Sequence, residues 1–136
     1  MKKSIILFIL LLLVFTAGCS ASAPAADTKK SIPAFHQISQ DEAKEMMAKD
    51  DGHVVVDVRR QDEYDAGHIP GAILVPNESI GCDSPEALPD YDQIILIYCR
   101  TGNRSKQAAQ KLAGMGYTNI YEFGGITTWT GDVVTD

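Results

Sequence analysis

Between Phe35 and Thr130 the chain switches repeatedly between two hydrophobic periods. Val54-Val55-Val56 and Ile94-Ile95-Leu96-Ile97-Tyr98 are apolar runs with no charged position inside them, the pattern of strands buried on both faces. Other stretches space their apolar residues three or four apart. Ser39-Gln40-Asp41-Glu42 is a capping box that opens a helix to about Lys49, with Ala43, Met46 and Met47 on one face and Asp50-Asp51-Gly52 as its stop. Gln61 to Ala66 suits one or two helical turns ended by Gly67. Ala72 to Val75 predicts a second strand, and Pro76 to Tyr91 a polar connection holding Pro85 and Pro89, with room for one helical turn. The spacing of Ala108, Ala109 and Leu112 predicts a helix from about Arg104 to Met115, ended by Gly114 and Gly116. Asn119 to Phe123 reads as a last strand, and Gly125 to Thr130 as a terminal turn around Trp129. Strands alternating with helices predict an α/β fold with a mostly parallel central sheet flanked by helices. In such sheets, sites gather at the carboxyl ends of strands. Asp57 ends one strand and Cys99 ends another.

The amino terminus follows a different rule. Lys2-Lys3 precede the unbroken apolar run Ile5 to Phe15, and Thr16-Ala17-Gly18 lead into Cys19. A charged start, an apolar stretch too short to span a bilayer comfortably, and small residues at its end predict a signal peptide over residues 1–18. Thr16-Ala17-Gly18-Cys19 resembles a bacterial lipobox, although Thr16 stands where leucine is usual. The resemblance implies lipidation at Cys19, a membrane anchor, and an extracytoplasmic working compartment. Residues 19–34, rich in Ala, Ser, Pro, Lys and Asp, read as a tether, and residues 35–136 as the folded domain.

Charge narrows the partners. Removing Lys2 and Lys3 leaves ten basic against eighteen acidic residues, a net charge near −8. Nucleic acid is therefore not an expected partner, since phosphate binding needs a basic face. The four arginines, Arg59, Arg60, Arg100 and Arg104, fall in two short segments, whereas every other cation is lysine. Guanidinium groups clustered in this way predict an oxyanion site.

The stretch Cys99-Arg100-Thr101-Gly102-Asn103-Arg104-Ser105 carries the candidate chemistry. A strand, a tight loop and a helix start present free backbone N–H groups and the positive end of the helix dipole. Gly102 and Asn103 are the residues best able to take left-handed angles and so curl those amides toward one centre. A thiol at that centre is expected to ionise readily. Four residues separate Cys99 from Arg104, one fewer than in tyrosine-phosphatase-like loops. The smaller ring suits a sulfur atom carried on cysteine better than a phosphoryl group. A thiolate of low pKa needs no histidine base.

Four segments occur in order: Asp57-Val58-Arg59, Gly67-His68-Ile69-Pro70-Gly71-Ala72, Cys99 to Ser105, and Gly124-Gly125-Ile126 with Trp129. Together they resemble a single-domain rhodanese, a thiosulfate sulfurtransferase-type module, from about Ile38 to Trp129. The resemblance implies that Cys99 attacks a sulfane sulfur of thiosulfate, a persulfide or a polysulfide and carries it as its own persulfide. A thiophilic acceptor, a protein or small-molecule thiol or cyanide, then removes it. It also implies that backbone N–H groups from Arg100 to Ser105 cradle the sulfur, that Arg100 attracts the anionic donor at the rim, and that Arg104 braces the loop against Asp57. No cofactor is called for.

Plainer roles stand beside these. Asp57 and Arg59 are read as loop supports, and the i,i+4 spacing of Arg59 and Glu63 suits a surface pair. His68 is expected to fix its turn by hydrogen bonding, and Trp129 to sit in the core. His36 and His53 lack partners at ligand spacing, so no metal site is expected. Cys82 is read as an unpartnered loop thiol, with the alternative that it resolves an oxidised Cys99 or accepts its sulfur. The short tail after Trp129 predicts an altered final packing segment. Two other functions share the fold: a phosphatase or arsenate reductase, and a sulfide-carrying or redox-sensing binding module with little turnover.

Overall fold

The computed structural model describes residues 34–135. The expected signal peptide, Cys19 and almost all of the tether lie outside the described residues.

Five strands form one sheet: β1 (His36–Gln37), β2 (Val54–Asp57), β3 (Ile73–Leu74), β4 (Ile94–Cys99) and β5 (Asn119–Gly125). Their order is β1-β5-β4-β2-β3, and every neighbouring pair is parallel. Helices α1 (Gln40–Met47), α2 (Gln61–Asp65) and α3 (Asn103–Met115) make the connections, with 3-10 turns at Asn77–Ser79 and Ile126–Thr128. The expected α/β class and each expected helix are present. β3 is shorter than Ala72–Val75 and β5 runs two residues past Phe123. β1 has no counterpart in the sequence reading. It is two exposed residues whose strand geometry comes from pairing with Tyr121 and Glu122.

The apolar runs are buried because both faces of the sheet are covered. Within β4, Ile95, Ile97 and Cys99 join one core cluster with Ala108, Ala109 and Leu112 of α3. Leu96 and Tyr98 join the other, with Ala43 of α1, Ile69, Ala72 and Phe123. That alternation is the period-two geometry of a strand. Each fully buried Ile or Leu contributes roughly 1.5–3 kcal/mol, so β4 is the best-held element. Cys99 thus sits at the end of the most strongly fixed strand.

Helix starts follow the side chains. At α1, Ser39 Oγ accepts the Glu42 N–H at 3.2 Å and Glu42 Oε2 accepts the Ser39 N–H at 2.8 Å. A cap of this kind is worth about 1 kcal/mol. Trp129 is half-buried against the second cluster, its ring 5.6 Å from that of Phe123. Its Nε1 donates to the Asp132 carbonyl at 3.1 Å, and a side chain at Gly131 would collide with its indole. The tail beyond it turns back so that Val134 exchanges backbone hydrogen bonds of 2.9 and 2.8 Å with His68.

Candidate active site

The last residue of β4 is Cys99, and α3 begins only four residues later. The register of β4 against β5 slips between Ile97, opposite Glu122, and Cys99, opposite Gly125. Such a bulge re-aims the strand end. The chain then turns through Gly102, which caps α3 with φ at +98°. An L side chain would be strained there. Asn103 is already the first residue of the helix, and no described non-glycine residue has a positive φ. The expectation that Asn103 shares the left-handed turn is therefore corrected: the single glycine completes it.

The Gly102 N–H donates to Cys99 Sγ at 3.0 Å. Burial pushes the thiol pKa up, but the Ser105 hydroxyl and the amides of Ser105, Gly102 and Thr101 outweigh it and hold the thiol below its ordinary value. The whole residue is only 1% exposed, so the sulfur meets donors rather than bulk water.

The loop is tied down from outside. Its Arg100 carbonyl accepts the Thr127 N–H at 3.2 Å and the Thr127 hydroxyl at 3.0 Å. Gly125 lies directly beneath, where a Cβ would strike the Arg100 carbonyl. Ser105 Oγ lies 3.0 Å from the Gly102 carbonyl and 2.6 Å from Glu122 Oε1. Glu122, 3% exposed on β5, also accepts the Gly124 N–H at 2.9 Å.

Arg104 is where the structure departs from expectation. Its two terminal nitrogens donate to Glu63 at 2.7 and 2.9 Å, a two-pronged pair from α3 to α2. Glu63 Oε2 also accepts the Arg60 N–H at 3.1 Å. The Arg104 hydrogen bonds hold the Glu63 carboxyl down to about 2. The carboxylate that Arg104 engages is Glu63, not the expected Asp57. Asp57 is fully buried and engaged by Arg59, whose Nε and Nη2 donate to its carboxylate at 3.0 and 2.7 Å. The surface pair expected between Arg59 and Glu63 is therefore absent. Arg59 can reach backward two residues through its own backbone turn, where Asp57 also accepts its N–H at 2.9 Å.

The Asp57–Arg59 pair supports a different loop. Arg59 Nη2 donates to the Gly67 carbonyl at 2.7 Å, at the head of the Gly67–Ala72 turn. Tyr98 Oη accepts the Ile69 N–H at 3.1 Å, fixing the same turn to β4. His68 stacks on Tyr64 with ring centres 3.7 Å apart, and its Nδ1 lies 3.1 Å from the Tyr64 carbonyl.

Arg100 is exposed, and among the described residues its guanidinium pairs with no carboxylate. Cys82 is exposed and Cys99 buried, and the two are not joined. A cleft of about 430 Å³ lies beside the loop, lined by Gln40, Thr101, Gly102, Lys106, Glu122 and Gly124 among others. Cys99 is not among its lining residues, so the thiol and not the cleft locates the candidate chemistry.

Cys99 thus ends its strand beside the Gly102 N–H at a helix start, with Gly125 under the loop. The rhodanese-like domain model matches residues 39–132. The chain belongs to the rhodanese-like family. Thiosulfate sulfurtransferase GlpE of Pseudomonas entomophila is 40% identical over 96 residues, covering 70% of this chain and 84% of that one. Thiosulfate sulfurtransferase PspE of Escherichia coli is 35% identical over 71 residues, covering 52% and 68%. Among solved structures, a rhodanese with anions from E. coli aligns with a TM-score of 0.57 at 31% identity, over 62% of this chain and 99% of that chain. With these relatives, the chain is a rhodanese-type enzyme of the sulfurtransferase class.

Two site features escaped the sequence reading. Glu63 hid behind the i,i+4 rule, which assigned it to Arg59. Glu122 left one signal: it is the acid inside the otherwise apolar stretch Ile120 to Phe123. A charge on a strand bound for the core needs a built partner.

Proposed function

We propose that this rhodanese-type enzyme moves a sulfane sulfur from thiosulfate, or from a persulfide or polysulfide, to a thiophilic acceptor through Cys99. The observation that carries the reading is the Cys99 sulfur held by the Gly102 N–H at 3.0 Å at the start of α3. In the first step the Cys99 thiolate attacks the outer sulfur of thiosulfate. A new S–S bond forms, the donor's own S–S bond breaks, and sulfite leaves with the electron pair. The product is a Cys99 persulfide anion. In the second step a thiolate or cyanide attacks its outer sulfur, and the Cys99 thiolate leaves with the electrons of the breaking bond.

The loop amides serve both steps, because sulfur carries negative charge before and after transfer. Thr101, Gly102, Asn103 and Ser105 supply main-chain donors around the carried atom, and Arg104 keeps the loop in shape through Glu63. Arg100, which pairs with no carboxylate among the described residues, draws the anionic donor to the rim. Asp57 and Arg59 act further off, by holding the Gly67–Ala72 turn. We further infer that the chain is exported and anchored by a lipid on Cys19, from Lys2-Lys3, the apolar run to Phe15 and the lipobox-like Thr16–Cys19.

The test is a mass measurement on the full-length chain after incubation with thiosulfate. The native protein is expected to gain the mass of one sulfur atom, and Cys99→Ser none. Equal gain in both sinks the assignment. Hydrolysis of an aryl phosphate by Cys99 without any sulfur gain turns the reading to a phosphatase.

A further inference from the structure

One peptide group of the loop is held from a single side. The Arg100 carbonyl accepts two hydrogen bonds from one residue, the Thr127 N–H at 3.2 Å and the Thr127 hydroxyl at 3.0 Å. Both lone pairs of that oxygen are thereby directed at the 3-10 turn Ile126–Thr128. The turn is itself anchored. The Gly125 carbonyl at its head takes the Gln40 side-chain amide at 2.9 Å and the Thr128 hydroxyl at 3.2 Å, and the Trp129 N–H closes it on Ile126 at 3.1 Å. Gly125 has extended angles, φ −130° and ψ 149°, which any residue adopts. What it lacks is room, since a Cβ there would lie 2.6 Å from the Arg100 carbonyl carbon and from the Thr101 Cα.

A planar trans peptide passes that constraint to the next amide. No described peptide bond is cis, so the C=O and N–H of one peptide group point in opposite directions. With the Arg100 carbonyl fixed on Thr127, outside the loop, the Thr101 N–H is directed to the inner side. The Gly102 N–H marks that side, because it donates to Cys99 Sγ at 3.0 Å. Among the described residues the Thr101 N–H donates to no oxygen.

We propose that Thr127 is a positioning residue of this active site: by holding the Arg100 carbonyl outward, its hydroxyl aims the Thr101 N–H at the sulfur that Cys99 holds or carries. The residue acts through one peptide group rather than on the sulfur. Gly125 leaves the space in which that carbonyl sits. The amide is a donor without an acceptor of its own, and an anionic sulfur supplies one. The charged groups on the elements around the loop are Arg100, Arg104 and Lys106 of α3, Glu63 of α2, Asp57 and Arg59 at the end of β2, and Glu122 of β5. A substitution at position 127 leaves all of them in place.

This rests on the reading of Cys99 as the sulfur carrier, but its test uses no sulfur donor, so failure of sulfur loading and failure of this inference are told apart. The pH midpoint of Cys99 alkylation by iodoacetamide is read in the full-length chain, by mass spectrometry on the peptide that contains Cys99. The unfolding midpoint of each variant is measured beside it. Thr127→Val keeps the shape and the N–H but removes the hydroxyl. It is expected to raise the Cys99 midpoint by about 0.3 or more, with the unfolding midpoint unchanged. Thr127→Ser restores the hydroxyl and is expected to restore the native value, which a mere loss of packing would not do. Gly125→Ala pushes the carbonyl off Thr127 and is expected to raise the Cys99 midpoint further. Once the carbonyl has moved, the hydroxyl has nothing to aim. Adding Thr127→Val to Gly125→Ala is therefore expected to shift the midpoint by less than Thr127→Val does alone. Thr127→Ala carries the same expectation if the valine variant does not fold. A Cys99 midpoint unchanged in a folded variant that lacks the hydroxyl, an equal rise in Thr127→Ser, or full additivity with Gly125→Ala overturns the proposal.

Discussion

Two carboxylate–arginine pairs stand on either side of this molecule's chemistry, and they differ in nearly every respect. Asp57–Arg59 is local, two residues apart, and its side chains are 0% and 6% exposed. Glu63–Arg104 joins residues 41 apart on two helices and is partly open to solvent. The first pair holds the Gly67–Ala72 turn through the Gly67 carbonyl. The second holds the loop that carries Cys99. The comparison teaches that clustered arginines need not form one anion site. Arg59 and Arg104 are spent on internal carboxylates and Arg60 on Asp62 at 2.9 Å, whereas Arg100 pairs with no carboxylate among the described residues.

If the two pairs differ as described, their removal should differ in size. Asp57→Ala strands a buried guanidinium and is expected to cost about 3–5 kcal/mol in denaturant unfolding. A loss below about 1 kcal/mol would put the pair on the same footing as the exposed one. Glu63→Gln should cost no more than about 1 kcal/mol, since partial exposure screens the pair, while slowing sulfur loading by releasing Arg104. Its pH signature has a definite sign. The Glu63 carboxyl is depressed to about 2 when folded, so its contribution is complete above the ordinary carboxylate pKa of about 4.3 and is lost as pH falls toward 2. Native protein should therefore lose more stability across that interval than Glu63→Gln. Parallel curves would remove the pair from the account. The smallest structural effect belongs to Arg100→Ala, which should leave the unfolding midpoint where it is and raise the thiosulfate KM several-fold, with kcat little changed.

The same contrast explains what could be read in the sequence. β2 and β4 were plain because both their faces are buried, and α3 because Ala108, Ala109 and Leu112 repeat at helical spacing. The loop from Cys99 to Ser105 was legible because a strand end, a glycine and a helix start constrain one another locally. β1 was not, since His36 and Gln37 carry no apolar alternation and become a strand only against the edge of β5. The partners of the arginines were equally hidden. Local spacing offered Glu63 to Arg59, whereas the three-dimensional choice of Arg104 depends on how α2 and α3 meet. Glu122 shows the same limit: its place under the loop follows from the slip between β4 and β5, which no periodicity records.

The central claim is that the Ser105 hydroxyl and the main-chain donors of one short loop outweigh burial and lower the pKa of Cys99. The most direct measurement is the pH dependence of Cys99 alkylation in the native full-length chain, resolved from the other cysteines by peptide mass. The expected midpoint lies clearly below the free-cysteine value of roughly 8.5, with Cys82, exposed and outside the loop, as the internal comparison. A Cys99 midpoint at or above that value would contradict the account.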